Sequence, residues 1–190
     1  PKVLEYNCRF GDPETQPLMM QLESDLMEIF LAQQKKQLKK KELKFKKGFS
    51  VGVVLASDGY PGEYKKGDQI HGLDKIKDVE VQVFHAGTKE VDKKIITNGG
   101  RVLSVTASGA TLKETIEKTY HAIGKKGIHF KGMQFRKDIG KKGLIFGISS
   151  GLRGRNNQRD VTNKQGYRGF KVDNRFCNLN FHGVGEGADG

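Results

Sequence analysis

One stretch near the start of the chain decides how the rest is interpreted: Val3-Leu4-Glu5-Tyr6-Asn7-Cys8-Arg9-Phe10-Gly11-Asp12-Pro13-Glu14-Thr15-Gln16. Apolar and polar residues alternate through its first half, which predicts a β-strand. Residues two apart in a strand point to the same face, so Glu5 and Asn7 project side by side. Carboxylate and amide oxygens suit hard divalent cations such as Mg²⁺ or Mn²⁺, whose remaining ligands are water and substrate phosphates. The stretch therefore predicts a metal site.

The residues after this strand predict an anion contact and a turn. Arg9 carries a planar guanidinium with five N–H donors, which suits a phosphate or a carboxylate. The sequence Gly11-Asp12-Pro13 is typical of a sharp turn. A second interpretation is equally compatible with the spacing: a buried strand in which Glu5 pairs with Arg9, followed by an ordinary Asp-Pro turn.

Five runs of the sequence carry a resemblance to a known family. The run from Arg9 to Gln16 resembles the signature of the glycinamide ribonucleotide synthetase (phosphoribosylamine-glycine ligase) family, whose members are ATP-grasp enzymes of purine synthesis. Four later runs resemble successive landmarks of that family's C-terminal domain, in the same order and at similar spacing: Ala56-Ser57-Asp58-Gly59-Tyr60-Pro61-Gly62, Phe84-His85-Ala86-Gly87-Thr88, Gly99-Gly100-Arg101-Val102-Leu103 and Phe135-Arg136-Lys137-Asp138-Ile139-Gly140. The resemblance extends from about residue 2 to residue 140.

The resemblance implies an ATP-dependent ligase reaction. ATP phosphorylates the carboxylate of glycine, and the amine of phosphoribosylamine attacks the acyl phosphate to give glycinamide ribonucleotide, ADP and phosphate. The ATP lid, the adenine pocket and a further acidic metal ligand would lie upstream of this chain. We therefore expect the chain to be a fragment that lacks the N-terminal part of the enzyme and is inactive alone, and the sequence leaves open whether the parent enzyme is multifunctional.

The same resemblance assigns roles to individual residues. It implies that Glu5 and Asn7 hold Mg²⁺ (or Mn²⁺) and that Arg9 acts at the catalytic centre as an anion clamp. The residues expected to bind substrate are Arg9, Asp12, Pro13 and Arg101. For Arg101 the residues alone leave a surface arginine after a hairpin turn as an equal alternative.

The predicted fold class is α+β, with four segments. Residues 1–34 are the end of an ATP-grasp catalytic domain, a strand followed by a helix from Pro17. Residues 35–47 are a lysine-rich helix end or linker, 48–140 a small, mostly antiparallel C-terminal domain, and 141–190 an irregular tail that we expect to be disordered. The helix is expected to face the core through Leu18, Leu22, Leu26, Ile29 and Phe30.

Local patterns predict the elements of the C-terminal domain. Thr111 and Glu114 form a capping-box pattern that predicts the start of a helix. Asn98-Gly99-Gly100 is typical of a tight hairpin turn. The predicted strands are Phe49–Ala56, Val79–His85, the hairpin partners Lys94–Thr97 and Arg101–Ala107, and Phe130–Ile139.

The charge of the chain raises a second class of function. The net charge is +12, and the lysine-rich run, residues 35–47, contributes +7 from eight lysines and one glutamate. A basic nucleic-acid-binding module is therefore an alternative. Residues 141–190 contribute the other +5, so the part that resembles an enzyme is electrically neutral. We therefore expect no specific nucleic-acid partner and interpret the lysines as a solvated segment.

The remaining composition suggests a cytoplasmic protein with no membrane partner. No apolar run reaches the roughly 18 residues of a membrane span. Two cysteines, Cys8 and Cys177, predict neither a disulfide framework nor a zinc site. A different ATP-grasp carboxylate–amine ligase remains an alternative, because metal ligation by Glu5 and Asn7 would be shared.

Overall fold

The computed structural model describes residues 9–40 and 42–145. The predicted metal strand, with Glu5 and Asn7, lies outside these ranges. The described elements are α1 (Thr15–Gln21), α2 (Leu26–Gln34), β1 (Phe49–Ala56), β2 (Val81–His85), β3 (Thr88–Val91), β4 (Lys94–Thr97), β5 (Arg101–Gly109), α3 (Leu112–His121) and α4 (Lys141–Ile145). The expected α+β class with small antiparallel sheets is confirmed for this part of the chain. None of the helices in the described ranges has the length and apolar character of a membrane span.

The larger sheet has the order β1-β5-β2, with both outer strands antiparallel to the central β5. Val105 lies opposite Val53 on one side and Val83 on the other. Val102, Val105 and Ala107 of β5 have no solvent exposure. Helix α3 packs over β1 and β5. The core therefore forms around β5, as expected for a central strand without a solvent-facing edge.

The predicted hairpin between residues 94–97 and 101–107 is wrong. Strand β4 pairs with β3 instead, around a two-residue turn at Asp92 and Lys93, whose φ angles are 48° and 62°. Two positive φ values fit the twist of a tight hairpin. Residues 98–100 connect the small sheet to the large one, and the carbonyls of Gly99 and Gly100 accept hydrogen bonds from Ser57. Strand β2 also begins at Val81 rather than at Val79, which is 87% exposed.

The single predicted helix from Pro17 is broken into two. Helix α1 ends at Gln21, and Leu22 takes an extended conformation. Asp25 then caps α2, its carboxylate accepting from the backbone N–H of Met27 at 2.7 Å. Aspartate side chains satisfy the free N–H groups of a first helical turn, so a new helix starts here.

The lysine-rich run, expected to be a helix end or a linker, does not continue α2 in the residues that the structure describes. It contains a short 3-10 turn at Leu38–Lys40 and then returns along the break between α1 and α2. Lys46 N–H donates to Gln21 C=O at 2.8 Å, and Glu23 N–H donates to Lys44 C=O at 2.9 Å. Backbone groups freed by the helix break thus find partners in the lysine-rich run, as polar backbone groups require.

The predicted core-facing stripe is only partly buried in the described part of the chain. Leu18, Leu22, Leu26 and Ile29 are half-buried, and Phe30 is 47% exposed. The buried residue of α2 is Ala32. The stripe crosses the break between α1 and α2, so it does not lie on one face of a continuous helix.

Helix α1 packs directly against the large sheet. Its Pro17 is buried, and a Cβ added at Gly52 of β1 would lie 2.9 Å from the Pro17 ring. The absence of a side chain at Gly52 therefore allows the close approach. The turn that precedes α1 lies beside Arg101, the first residue of β5.

The predicted strand over Phe130–Ile139 is not a regular strand. This segment and the residue before it form only isolated β-bridges: His129 pairs with His71, and Gln134 pairs with Ala56. No extended partner runs alongside it within the described residues, so a continuous ladder does not form.

The first residues after Gly140 form the short helix α4 rather than the expected irregular chain. Leu144 packs against the buried side chains of Val51, Leu112 and Ile116. This apolar contact explains why residues 141–145 are ordered against α3. The rest of the predicted tail, from residue 146, lies outside the described residues.

Helix α3 begins where the capping-box pattern predicts. Thr111 Oγ1 accepts from Glu114 N–H at 3.2 Å. Lys118 donates a hydrogen bond to the Glu114 carboxylate and holds its pKa below the usual value. Lys118 also pairs with Glu80, which precedes β2. The cap marks the start of α3, and the Lys118–Glu80 pair links the helix to the segment before β2.

We expect Thr111→Ala to lower the free energy of unfolding by about 1 kcal/mol, because the N–H of Glu114 loses its acceptor. Lys113→Ala, at an exposed position of the same helix, should change it by less than about 0.5 kcal/mol. Urea denaturation of both variants measures the difference. Equal stabilities would show that the cap does not stabilise α3.

Candidate functional site

Arg101 joins two segments that are far from it in the sequence. Its Nε donates to Tyr60 OH at 3.0 Å. Its Nη1 donates to the carbonyl oxygen of Asp12 at 3.0 Å and lies 3.1 Å from Asp12 Oδ2. We call Asp12, Tyr60 and Arg101 the Arg101 cluster. The structure thus brings together two of the predicted substrate-binding residues, Asp12 and Arg101.

The backbone around Arg101 is fixed by neighbouring loops. Ser57 donates to Gly100 C=O through its backbone N–H and to Gly99 C=O through its hydroxyl, both at 2.8 Å. On the other side, Gly87 N–H donates to Arg101 C=O at 2.9 Å. Three of the runs that carry the family resemblance therefore meet at the beginning of β5.

Tyr60 lies directly over Gly100. A Cβ added at Gly100 would be 2.1 Å from Cδ2 of the Tyr60 ring. The ring of Tyr64 meets Tyr60 edge-on, with centroids 6.2 Å apart. Glycine at position 100 therefore allows the phenol to reach the guanidinium of Arg101.

The electrostatics keep Arg101 charged. Partial burial lowers its pKa, but the hydrogen bonds to Asp12 and Tyr60 outweigh this effect and raise the pKa above its usual value. The side chains of Arg101 and Asp12 are 32% and 57% exposed. Ion pairs this exposed contribute about 0–1 kcal/mol to stability. The contact therefore sets geometry more than it stabilises the fold.

The turn that carries Asp12 is itself closed by local hydrogen bonds. Gly11 N–H donates to Glu14 Oε1 at 3.1 Å, and Thr15 N–H donates to Gly11 C=O at 3.0 Å. Pro13 is half-buried within it. The turn expected at residues 11–13 is present and leads directly into α1.

Arg9 is exposed at the start of the described residues. Its Nη1 donates to the carbonyl oxygen of Phe10 at 3.1 Å. Its expected place on the face of Glu5 and Asn7 involves residues outside the described ranges. The role of Arg9 as an anion clamp stays a prediction.

The residues between 9 and 145 that the structure describes contain no group of three or more metal-ligating side chains. The predicted donor set, Glu5 and Asn7, precedes them. One carboxylate and one amide oxygen fit a hard divalent cation that also binds water and substrate phosphates. The chemistry of this donor set therefore agrees with magnesium.

Sequence analysis missed Tyr60 as a member of the site. It stands 41 residues before Arg101, and spacing of this kind carries no periodic signal. The only available sign was its place within the run 56–62. His85, also in a landmark run, is exposed, with Nδ1 3.0 Å from Thr88 Oγ1.

We expect Gly100→Ala to destabilise the chain by about 1–3 kcal/mol, because the added methyl group displaces the Tyr60 ring. In a Tyr60→Ala background the same change should cost clearly less. A double-mutant cycle by urea denaturation measures this. Equal costs in both backgrounds would show that the ring is not the obstacle.

Comparison with known proteins agrees with the resemblance. Residues 50–142 match the family model described as "Phosphoribosylglycinamide synthetase, C domain". The phosphoribosylamine–glycine ligase of Vibrio vulnificus (strain CMCP6) is 49% identical over 144 residues, which are 76% of this chain and 33% of that protein. The Escherichia coli (strain K12) ligase is 48% identical over 145 residues, again 76% and 33%.

A solved structure matches as well. The crystal structure of phosphoribosylamine–glycine ligase from Thermotoga maritima aligns with 73% of this chain and 33% of its own, at 36% identity and a TM-score of 0.54. The chain spans about a third of the length of the relatives it matches. Residues 50–142 therefore belong to the phosphoribosylglycinamide synthetase C-domain family, which confirms the family recognised from the sequence.

Proposed function

We propose that this chain forms the C-terminal part of a phosphoribosylamine–glycine ligase. The reaction joins glycine to phosphoribosylamine with ATP as co-substrate and yields glycinamide ribonucleotide, ADP and phosphate. About half of the aligned residues are identical to those of ligases named for this reaction, which supports the proposal. The chain spans a third of the length of those ligases, and the part of them that it does not cover would supply the ATP lid and the adenine pocket, so the chain alone should be inactive.

The observation that carries this proposal is the contact between Asp12 and Arg101. It joins the run that follows the proposed metal strand to the family's C-terminal domain, across 89 residues of sequence. Both residues belong to runs by which the family was recognised. The contact supports the proposal that Asp12 and Pro13 lie at the substrate-binding surface, with Arg101 next to them.

In this proposal Glu5 and Asn7 would hold Mg²⁺ or Mn²⁺, which would supply positive charge beside the ATP phosphates. Arg9 donates to an anionic oxygen of a substrate or of the transferred phosphoryl group. Asp12 and Pro13 define the sugar-phosphate or glycine side of the cleft. The segments 1–34, 35–47 and 48–140 keep the roles stated above, with 35–47 folded back rather than continuing α2, and the segment 141–190 begins with the short helix α4.

A fusion tests the proposed function. We join this chain, residues 1–190, to the N-terminal two thirds of the Escherichia coli ligase and measure ADP formation. We expect ADP formation that requires both glycine and phosphoribosylamine, and no activity from either part alone. An inactive but folded fusion, or activity with a different carboxylate and amine, would overturn the proposal in favour of another ATP-grasp ligase.

The nucleic-acid alternative has a separate test in the chain itself. The lysines of the run that the structure describes with side chains are exposed, so phosphate contacts are sterically open. A filter-binding titration against duplex DNA and RNA at two salt concentrations measures such contacts. We expect no binding at physiological salt, and tight, salt-dependent binding would favour the alternative.

Arg9→Lys in the active fusion separates an anion clamp from a structural arginine. Lysine keeps the charge but loses the planar fork. We expect a loss of about tenfold or more in kcat/KM, equivalent to about 1.4 kcal/mol, with an unchanged melting temperature. A lower melting temperature with normal activity of the folded fraction would remove Arg9 from the site.

A further inference from the structure

Arg101 was expected to bind a substrate anion, but its contacts indicate a different role. We propose that Arg101 is a positioning residue: it holds the turn formed by residues 11–14 in place through Asp12, and it does not clamp a substrate anion with its guanidinium fork. This inference rests on the proposed ligase function. It assigns Arg101 an action on Asp12 and the turn, and leaves contact with the substrate to those residues.

The use of the guanidinium donors supports this role. Bidentate binding of a phosphate or carboxylate needs two parallel N–H groups on one edge of the guanidinium. One edge is formed by Nε and Nη2, and the other by Nη1 and Nη2. Nε is bonded to Tyr60 OH, and Nη1 contacts two oxygens of Asp12. Each edge therefore has one donor already engaged, and a fork-like contact with a substrate would require one protein partner to leave.

The nature of the Asp12 contact also points to positioning. Arg101 binds the backbone carbonyl of Asp12 as well as its carboxylate, so it fixes the path of the main chain. The turn is closed on itself by the bond from Gly11 N–H to Glu14. A closed turn moves as a unit, so holding Asp12 also fixes Pro13 at the entrance to α1.

The contacts of the Arg101 side chain and backbone hold this residue in one orientation. Tyr60 holds Nε from one side, and the ring occupies space that any side chain at position 100 would need. Gly87 and Ser57 fix the backbone on either side of the Gly100–Arg101 bond. Displacements of about 1 Å at residues remote from the chemistry can cost about a hundredfold in rate. A residue held this firmly can supply such precision to the turn.

The test uses the active fusion with full residues 1–190 and three conservative variants: Arg101→Lys, Asp12→Asn and Tyr60→Phe. We expect Arg101→Lys to lower kcat about tenfold or more while KM for each of the three substrates changes less than about threefold. Because Arg101 acts through Asp12, the double variant Asp12→Asn/Arg101→Lys should be no slower than the worse single variant. Tyr60→Phe should lower kcat by a smaller factor in the same direction.

The matched control is Arg136→Lys. Arg136 also forms a fork with an aspartate, Asp138, but within one segment, with Nε to Oδ1 at 3.0 Å and Nη2 to Oδ2 at 2.6 Å. We expect its kcat to stay within about twofold of the parent fusion. An equal loss in this control would show a general cost of replacing arginine and would overturn the positioning role.

Other results would also overturn the inference while leaving the ligase function intact. A rise in KM for phosphoribosylamine or ATP alone, additive with Asp12→Asn, would identify Arg101 as a substrate anion clamp. A lower melting temperature with unchanged kcat would identify a structural ion pair. Failure of the parent fusion, in contrast, would overturn the proposed function itself and this inference with it.

Discussion

Strand β5 is the constraint on which the rest of the described structure depends. It pairs on both edges and buries its residues 102–107, so each backbone group must find a ladder partner and each side chain must pack. Arg101 is the first residue of this strand. Its side chain therefore extends from the start of a buried strand that is paired on both sides, which is a suitable base for holding a distant turn.

Sequence patterns predicted those elements whose causes are local. Strand β1 is a continuous apolar run, and helix α3 has its Thr111 cap. The predicted hairpin at Asn98-Gly99-Gly100 was wrong because Ser57, 42 residues before Gly99, donates hydrogen bonds to the carbonyls of Gly99 and Gly100, a contact that local spacing does not show. The prediction of one continuous helix was wrong because the apolar spacing continues across Asp25, while the capping bond of that residue starts a second helix.

The site was predictable only in part, and for the same reason. Asp12 and Arg101 were identified because their runs resemble a family, and the structure then placed them in contact. Tyr60 was missed, since no pattern in one sequence links it to a residue 41 positions later. The three-dimensional structure shows why Tyr60 reaches Arg101: Gly100 has no side chain and leaves room for the Tyr60 ring.

The lysine-rich run shows how charge and structure can have separate causes. Its backbone pairs with the break between α1 and α2, through bonds that involve main-chain atoms of Lys44 and Lys46. These bonds use main-chain atoms of the two lysines, so they do not depend on the charge of the side chains. The side chains of Lys44 and Lys46 are exposed to solvent. The fold thus accounts for the path of this segment without accounting for its charge. The same distinction applies to Arg101: an exposed ion pair adds little stability, so its value lies in the geometry that it imposes.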